Sequence, residues 1–381
     1  MIIETVNIDK KIIYSFNEIP KNSKICIYSI RPLEQSFANL IKIFRKDIEI
    51  LCFLDSSQIG EIANIKIIKI DEFIKSDIDY DLILIPASLA REKLELLNGL
   101  KVKYKLIDTA LTYTCFYYFK DIPEYNHISN NIYLNNKEHF QKVEDILKNE
   151  VDKNLYRNLI DLRLNPNKLD EFRKNFYINT ENISKQYYDY INKSQIKIMI
   201  EGGVCDGGSA YKFQTSFPKL NKLYGFEPFK KIYNDNIYVD VIDKNIVNVF
   251  PLALWEEKTT LEFKNEGGAS RVASNEDGLV KVDAISLDEF VKENNIKKVD
   301  YIKLDTEGSE LNVLKGGINT LIMHRPQLAI SIYHKYQDMY SIPIFLDNIL
   351  ENYTFRLGHY SFILFETVFY AIPNELAESK E

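Results

Sequence analysis

Short apolar runs alternate with segments of helical spacing over the first third of the chain, between about residues 24 and 110. Each run suits a buried strand, and Ala90–Leu97 between two of them has the apolar spacing of an amphipathic helix. Alternation of this kind predicts βαβ units and a parallel sheet. The predicted strands are Ile25–Ile30, Ile48–Leu54, Ile65–Ile70, Tyr80–Ile85 and Tyr104–Ile107.

A second series of the same kind begins at Ile196 and ends with two apolar runs that have no helix between them. Its predicted strands are Ile196–Ile200, Lys222–Phe226, Ile246–Leu254, Val299–Leu304 and Gln327–Ile332, with a terminal hairpin formed by Tyr353–His359 and Thr367–Ile372. Parallel strands followed by a hairpin are the organisation of a class I methyltransferase sheet. The period alone also allows other doubly wound folds.

Residues 120 to 190 differ from both series, because they are charged, rich in tyrosine and helical in pattern. Lys137–Phe176 spaces its apolar residues three and four apart, which predicts a helical connector. We therefore expect three regions: a Rossmann-like α/β domain over 1–118, the connector over 119–190 and a second α/β domain over 191–381.

The overall charge narrows the classes of partner. The chain of 381 residues has 55 acidic and 48 basic side chains, a formal charge of −7, which disfavours nucleic acid and anionic membranes. It contains neither an apolar stretch near the roughly 20 residues that cross a bilayer nor a secretory signal pattern. The four cysteines are too scattered for a zinc site or a disulfide framework. We expect a cytoplasmic protein with a small-molecule substrate, and a homo-oligomer is compatible with the sequence.

The first strand-to-helix turn of the N-terminal series, Ser29–Ser36, contains no glycine. A dinucleotide needs glycines at this position so that its pyrophosphate can approach the backbone. Asp55 ends the second strand where a ribose-binding acid would lie, but without the glycines we interpret it as a loop N-cap. The sequence thus predicts a scaffold without a cofactor here, and an NAD-dependent oxidoreductase is the less favoured alternative.

The corresponding turn of the second series is rich in glycine, and it begins with an acid, Glu201. A carboxylate there would repel a pyrophosphate but suits the cationic amino-acid end of S-adenosylmethionine. Glu227, at the end of the next strand, can accept hydrogen bonds from both hydroxyls of a ribose. The expected cofactor contacts are Glu201, Gly202, Gly203, Gly207, Ser209, Glu227, Pro228, Ala253, Leu254 and Asp305.

Candidate catalytic residues follow two later strands. Asp305 is delivered to the carboxyl edge of the sheet, and Glu307 follows within the same turn. His334 and His359 also fall at strand ends, and a hydroxyl nucleophile needs an acceptor for its proton. We expect His334 or Asp305 to be that base, with His334 ahead of His359.

Candidate substrate contacts are Ser270, Arg271 and Lys335. Arg271 could hold a carboxylate or a phosphate, although a solvated arginine fits the pattern equally well. No metal is expected, and the alternative is a divalent cation held by the carboxylates of Asp305 and Glu307.

Taken together, these motifs resemble the FkbM family of S-adenosylmethionine-dependent O-methyltransferases. The resemblance spans roughly residues 196 to 373. Two departures from the family pattern are Glu201, where the family more often has Asp, and Cys205-Asp206, where an Ala-Asn pair is common. The matching segments are Glu201–Gly207, Phe226–Pro228, Leu287–Glu289, Lys303–Glu310, Leu314–Gly316, Arg325–Pro326, Ser331–Lys335 and Glu366–Ala371.

The resemblance implies a class I, Rossmann-like methyltransferase sheet with a terminal antiparallel hairpin, and S-adenosylmethionine as the cofactor. It further implies O-methylation of a small polar acceptor, for which a nucleotide-activated hexose or heptose for surface polysaccharide is our leading candidate. The alternative is a nucleotide- or sugar-binding protein that keeps this fold without the chemistry.

Overall fold

The computed structural model describes most of the chain. The described residues are 12–13, 15–87, 103–108, 111–112, 115, 130–165, 168, 172, 185–229, 234, 238–264, 271–272, 279–361 and 364–377. The predictions at Ala90–Leu97 and Ser270 lie outside them. The chain divides into two compact units, of which the first comprises Met1–Asn130, Leu159–Asn179 and Phe362–Leu364, and the second comprises Asn131–Asn158, Thr180–Ser361 and Phe365–Glu381.

The first unit contains a seven-stranded sheet in the order β1-β7-β6-β2-β3-β5-β4. All neighbouring strands are parallel except β4 and β5. The five predicted strands are confirmed, whereas β1 and β4 are too short to give a periodic signal. The strands are β1 (Ile12–Ile13), β2 (Lys24–Tyr28), β3 (Glu49–Asp55), β4 (Gly60–Ile62), β5 (Ile65–Lys69), β6 (Leu82–Pro86) and β7 (Tyr104–Ile107).

Two described helices connect strands of this sheet: α1 (Pro32–Phe44) and α2 (Ile70–Ile74). Helix α1 begins with a proline, whose fixed φ suits the first helical position. It buries Phe37, Leu40 and Ile41 in a core shared with β2 and β3. This packing stabilises the first βαβ unit.

The predicted connector contains three helices among its described residues: α3 (Asn130–Asn135), α4 (Lys137–Ile146) and α5 (Glu150–Leu164). Helix α5 is divided between the units, because residues up to Asn158 belong to the second and residues from Leu159 to the first. Asp152 of α5 forms a salt bridge with Arg356 at 2.6 Å inside the second unit.

The main sheet of the second unit has the order β10-β9-β8-β15-β16-β18-β17. Its first five strands are parallel, and β18 and β17 are antiparallel to their neighbours. This is the predicted class I sheet with its terminal hairpin, so the fold class is confirmed. The strands are β8 (Ile198–Gly202), β9 (Lys222–Phe226), β10 (Val247–Phe250), β15 (Tyr301–Leu304), β16 (Gln327–Ser331), β17 (Tyr353–His359) and β18 (Thr367–Pro373).

The predicted strand Ile246–Leu254 is wrong as a single element. It divides at Pro251 into β10 and β11 (Ala253–Trp255), because proline has no N–H to donate to a strand ladder. Strand β11 belongs to a separate four-stranded sheet of order β11-β14-β12-β13, which the sequence analysis missed. Its other strands are β12 (Thr259–Lys264), β13 (Arg271–Val272) and β14 (Val280–Ser286).

The helices of the second unit cover its main sheet or connect its strands. They are α6 (Gly208–Ser216), α7 (Tyr238–Val241), α8 (Leu287–Glu293), α9 (Glu310–Lys315), α10 (Ile318–His324) and α11 (Asp338–Ile349). Helix α8 is capped by Ser286, whose Oγ accepts from the backbone N–H of Glu289. Asp288 accepts backbone N–H bonds from Asn319 and Thr320 at the start of α10. None of the described helices has both the length and the apolar character that crossing a bilayer requires.

Candidate active site

The carboxyl ends of β8, β9 and β15 meet at one edge of the main sheet and border a cavity of about 280 Å³. This volume lies at the lower end of the range for small-molecule sites, about 300–1,000 Å³. The cavity lies where open α/β sheets bind ligands, beside the strand at which the strand order reverses. Its lining residues are Gly202, Gly203, Cys205, Phe226, Glu227, Pro228, Phe229, Leu252, Ala253, Leu254, Phe263, Asp305, Thr306, Glu307, Ser309, Tyr333 and Glu366.

The glycine turn forms the floor of the cavity. Gly203 has a φ of +78°, and a Cβ on it would lie 1.8 Å from the carbonyl oxygen of Asp305. Gly202 is less restricted, because a Cβ there would lie 2.9 Å from the terminal methyl groups of Leu304 and Thr306, which can move. Gly207 has a φ of +87° at the N-cap of α6 and is not among the lining residues. The close approach of the backbone after β8 to the backbone after β15 therefore requires Gly203, whatever ligand binds.

Glu201 lies beneath the cavity instead of lining it. Its carboxylate is fully buried, accepts a hydrogen bond from Ser209 Oγ at 2.5 Å and lies 3.3 Å from Lys303 Nζ. Burial raises the pKa of Glu201, and Lys303 opposes that shift. Glu201 and Lys303 are register partners on β8 and β15, so their side chains share one face of the sheet. These contacts leave Glu201 Oε2 buried without a hydrogen-bond partner among the described residues, so the cofactor contact that we expected of Glu201 and Ser209 stays a prediction.

Glu227 is held rigidly at the cavity wall. Its Oε2 accepts from the N–H of Cys205, and its Oε1 from the N–H of Phe229, both at 2.9 Å. Burial raises the pKa of this carboxyl, and the two backbone N–H bonds oppose the shift. Each oxygen retains a second lone pair, so the carboxylate can still accept two hydroxyl donors. Pro228 follows it in the lining, as the sequence analysis expected.

The opposite wall is apolar. Ala253 and Leu254 of β11 line it as expected, and Leu252 precedes them. Phe229 and Phe263 complete this wall, and their rings meet edge to face at 5.9 Å between centroids. These two aromatic residues carried no signal in the sequence, because Phe263 reaches the cavity through the small sheet that was not predicted.

Asp305 lies at the acidic end of the cavity and is fixed by two tyrosines. Tyr187 donates to its Oδ2 at 2.9 Å, and Tyr333 donates to its Oδ1 at 3.1 Å. Burial by itself would raise the pKa of Asp305, but the nearby cations Lys303 and His334 lower it below its ordinary value. The carboxylate is therefore held charged and in one orientation.

His334 lies against three carboxylates. Its Nε2 is 3.4 Å from both Asp305 Oδ1 and Glu307 Oε2, and its Nδ1 is 3.0 Å from Glu310 Oε1. Burial would lower the pKa of His334, but the charges of Glu310, Glu307 and Asp305 raise it to about 10. An imidazolium cannot accept a proton, so this environment argues against the base role that we expected of His334.

Glu307 and Glu366 enter the cavity from unusual backbone conformations. Their φ values are +52° and +64°, which non-glycine residues seldom adopt. Burial raises the pKa of Glu307 to about 7. Such conformations concentrate at functional sites. Lys335 packs behind this turn, where its Nζ donates to Gly308 O at 2.5 Å, and it is not among the lining residues.

Two further candidates lie away from the cavity. His359 ends β17, two strands from β16 in the sheet order and thus about 10 Å away. It is buried in the hairpin with its Nδ1 2.9 Å from Thr367 Oγ1, which argues against a catalytic role. Arg271 is part of β13 and is not a lining residue, and Ser270 lies outside the described residues.

Comparison with known proteins identifies the family. The model of the methyltransferase FkbM domain matches residues 119–357, which is more than half of the chain. The chain belongs to the FkbM methyltransferase family. It is therefore a methyltransferase, and the cavity-lining residues from Gly202 to Tyr333 fall within the matched FkbM domain. No curated protein sequence matches the chain.

Solved structures agree with the FkbM fold. The crystal structure of methyltransferase FkbM from Methylobacillus flagellatus KT superimposes with a TM-score of 0.60 at 18% identity, covering 92% of this chain and 90% of that one. Fibrillarin from Aeropyrum pernix, solved with natively bound S-adenosyl-L-methionine, gives only 0.32 at 10% identity, covering 50% of this chain and 73% of that one. At these identities the first likeness supports the fold alone, and the second carries no argument.

Sequence reasoning missed five residues around the acidic end. Four of them lie inside segments that match the FkbM pattern, but the pattern assigned them no role. The two tyrosines gave no usable signal, because Tyr187 lies in a tyrosine-rich stretch and Tyr333 follows an apolar strand. The five are Tyr187, Lys303, Glu310, Tyr333 and Glu366.

Proposed function

We propose that this methyltransferase uses S-adenosylmethionine to methylate a hydroxyl oxygen of a small polar acceptor. The observation that carries the proposal is that Glu227 and Asp305 line one cavity from opposite sides of β8. Glu227 follows β9 and Asp305 follows β15, so two strand spacings, about 10 Å, separate the first end of the cavity from the second.

The first end fits S-adenosylmethionine on three grounds. Glu227 offers two oriented acceptors to a ribose, and Ala253, Leu254 and Phe263 offer an apolar surface to an adenine ring. Gly202 and Gly203 leave bare backbone between the two ends. When bound, S-adenosylmethionine supplies a methyl group on a positively charged sulfur, so that one carbon–oxygen bond forms as one carbon–sulfur bond breaks.

The protein's own residues then have two tasks. The carboxylates of the second end orient the acceptor by hydrogen bonds, which supports a near-attack geometry. They also receive the proton that the hydroxyl loses, and among the described lining residues Asp305 and Glu307 are best placed for it. Tyr187 and Tyr333 hold Asp305 in position for this step.

The acceptor class is the finer part of the proposal. Hydroxyl-rich sugars suit a wall of carboxylates and a tyrosine hydroxyl. Our prediction for the acceptor therefore stays a nucleotide-activated hexose or heptose for surface polysaccharide. We expect the reaction to take place in the cytoplasm. Among the described lining residues, however, none is a lysine or arginine that could pair with a diphosphate. A nucleotide sugar would therefore have to place its phosphates outside the described lining.

Methyl transfer with isotopically labelled S-adenosylmethionine tests this function. The purified chain is incubated with free sugars and with nucleotide sugars, and the products are analysed by mass spectrometry. We expect a gain of one labelled methyl group, about 14 daltons plus the mass of the label, located on a sugar oxygen. Binding of S-adenosylhomocysteine without transfer to any acceptor would instead favour the non-catalytic alternative.

A further inference from the structure

Four ionisable side chains meet at the acidic end of the cavity, and they come from two adjacent turns. Asp305 and Glu307 lie in the turn after β15, Glu310 begins α9, and His334 follows β16. Because β15 and β16 are parallel neighbours, their carboxyl ends lie side by side. Asp305, Glu310 and His334 each offer a ligand atom within 4.8 Å of the others.

The contacts of His334 are close but are not ordinary hydrogen bonds. Its side chain is only 8% exposed, yet within the described part of the chain neither ring nitrogen has a hydrogen-bond partner of acceptable geometry. The two contacts of Nε2, to Asp305 Oδ1 and to Glu307 Oε2, are both 3.4 Å. N–H···O bonds are usually 2.7–3.2 Å long. A buried nitrogen thus faces two carboxylate oxygens without bonding to either.

Glu310 differs from the other two carboxylates, because its position is already fixed. It is fully buried, its Oε1 accepts from the backbone N–H of Thr306 at 2.6 Å, and it does not line the cavity. The same oxygen lies 3.0 Å from Nδ1 of His334. A carboxylate behind the second nitrogen of a histidine is the usual means of orienting a metal-binding imidazole.

We propose that Asp305, Glu307 and His334 bind a divalent cation through Oδ1, Oε2 and Nε2, with Glu310 orienting the imidazole. Two ligands at right angles around a cation at about 2.0–2.2 Å are about 3 Å apart, and His334 Nε2 lies 3.4 Å from each of the two carboxylate oxygens. One nitrogen with two carboxylate oxygens suits Mn²⁺ or a similar first-row cation better than Ca²⁺, which takes oxygen ligands.

The cation would have open positions toward the cavity, because Asp305 and Glu307 line it. Its role in catalysis rests on the proposed function: it would bind the acceptor hydroxyl and draw electron density from the oxygen, and the proton would pass to Glu366, the lining carboxylate that is not a ligand. The binding of the cation itself does not depend on that function. The proposal takes up the alternative to the expected metal-free site and adds His334 to it.

The test is a titration of the full chain with Mn²⁺, followed by electron paramagnetic resonance, without cofactor or acceptor. Wild type should bind one Mn²⁺ per chain with a Kd below about 1 mM. Glu307→Gln should weaken this binding about 10-fold or more, and its side chain is 33% exposed, so the fold should tolerate the change. The matched control is Glu257→Gln at an exposed acid outside the cavity lining, which should bind as wild type does.

Two results would overturn the inference. One is a wild type that binds no Mn²⁺ at millimolar concentration, which would mean that His334 neutralises the carboxylates only as an imidazolium. The other is equal binding by Glu307→Gln and Glu257→Gln. Calorimetry with S-adenosylhomocysteine on the same preparation separates the two proposals. If the protein binds S-adenosylhomocysteine but not Mn²⁺, the cation proposal is rejected and the proposed function stands.

Discussion

The turn after β2 in the first unit and the turn after β8 in the second occupy equivalent positions but are built from different kinds of residue. In the first unit β2 lies between β6 and β3, and in the second β8 lies between β15 and β9. The turn after β2 is filled, because buried Glu34 accepts from Ser29 Oγ at 3.0 Å and from both Nε and an Nη of Arg31. The turn after β8 is made of glycines and borders the cavity.

From this difference we expect the turn, and not the sheet, to determine whether a Rossmann-like unit binds a ligand. In both units the strand before the turn, β2 or β8, lies inside a mainly parallel sheet. In the first unit, the side chains of Ser29, Arg31 and Glu34 bond to one another in the turn. In the second, bare backbone leaves room for a ligand, and the protein's own charged pair, Glu201 with Lys303, lies beneath the floor. Four substitutions test this contrast.

Lys303→Met should have the largest effect. It leaves Glu201 buried without its cation, and breaking a buried ion pair costs about 3–5 kcal/mol. Trp255 is the only tryptophan and lies in the second unit, so its fluorescence during urea unfolding reports on the affected unit. The double variant with Glu201→Gln should recover part of the loss, and a double variant as unstable as the sum of both single changes would contradict the pairing.

Gly203→Ala should rank next. The added Cβ meets the carbonyl of Asp305, and its left-handed φ is unfavourable for alanine, which together should cost about 2–4 kcal/mol. Affinity for S-adenosylhomocysteine, measured by calorimetry, should fall by about 100-fold or more. Ser29→Ala in the filled turn is the control, and it should bind as wild type does. Normal binding by Gly203→Ala would exclude the glycine turn as the floor of the site.

Glu227→Gln should have an intermediate effect on binding, and it should lower stability by about 1–3 kcal/mol because the amide nitrogen cannot accept one of the two backbone N–H bonds. Hydrogen bonds to a charged group contribute about 1.5–3 kcal/mol, so affinity for S-adenosylhomocysteine should fall about 10- to 100-fold. Glu257→Gln is the matched control. If the affinity for adenine alone falls by the same factor in the variant, the loss does not come from the ribose. The role assigned to Glu227 would then be incorrect.

Arg31→Met should have the smallest effect. Its guanidinium side chain is 39% exposed although Glu34 is buried, and partly exposed pairs contribute about 1 kcal/mol or less. The circular-dichroism melting midpoint should fall by only a few degrees, with the Trp255 transition and cofactor affinity unchanged. A large fall in cofactor affinity would mean that the first unit takes part in binding.

The apolar pattern was sufficient for the terminal hairpin and for the strands of both large sheets except the short β1 and β4. It was not sufficient at Pro251, because a nine-residue apolar run does not reveal that its two halves pair with different partners. The four-stranded sheet was missed for the same reason, because β11 pairs with β14, about thirty residues later in the chain. Strand pairing between distant residues is not encoded in local periodicity.

The candidate site was predictable in position but not in its electrostatics. Glu227 and Asp305 line the cavity as expected, because the end of a strand can be read from the sequence. The charges around His334 and the contacts of Glu201 involve Glu310 and Lys303, which reach them only once the strands pair. The distance of His359 from the cavity has a related cause, since the order of the strands places β17 at the far edge.

The most direct test of the central claim is calorimetric titration of the full chain with S-adenosylhomocysteine and, separately, with NAD. The account predicts one S-adenosylhomocysteine per chain, lost in Gly203→Ala and retained in Ser29→Ala, and no binding of NAD. Binding of NAD with none of S-adenosylhomocysteine would contradict it, because the filled turn after β2 would then be the ligand site.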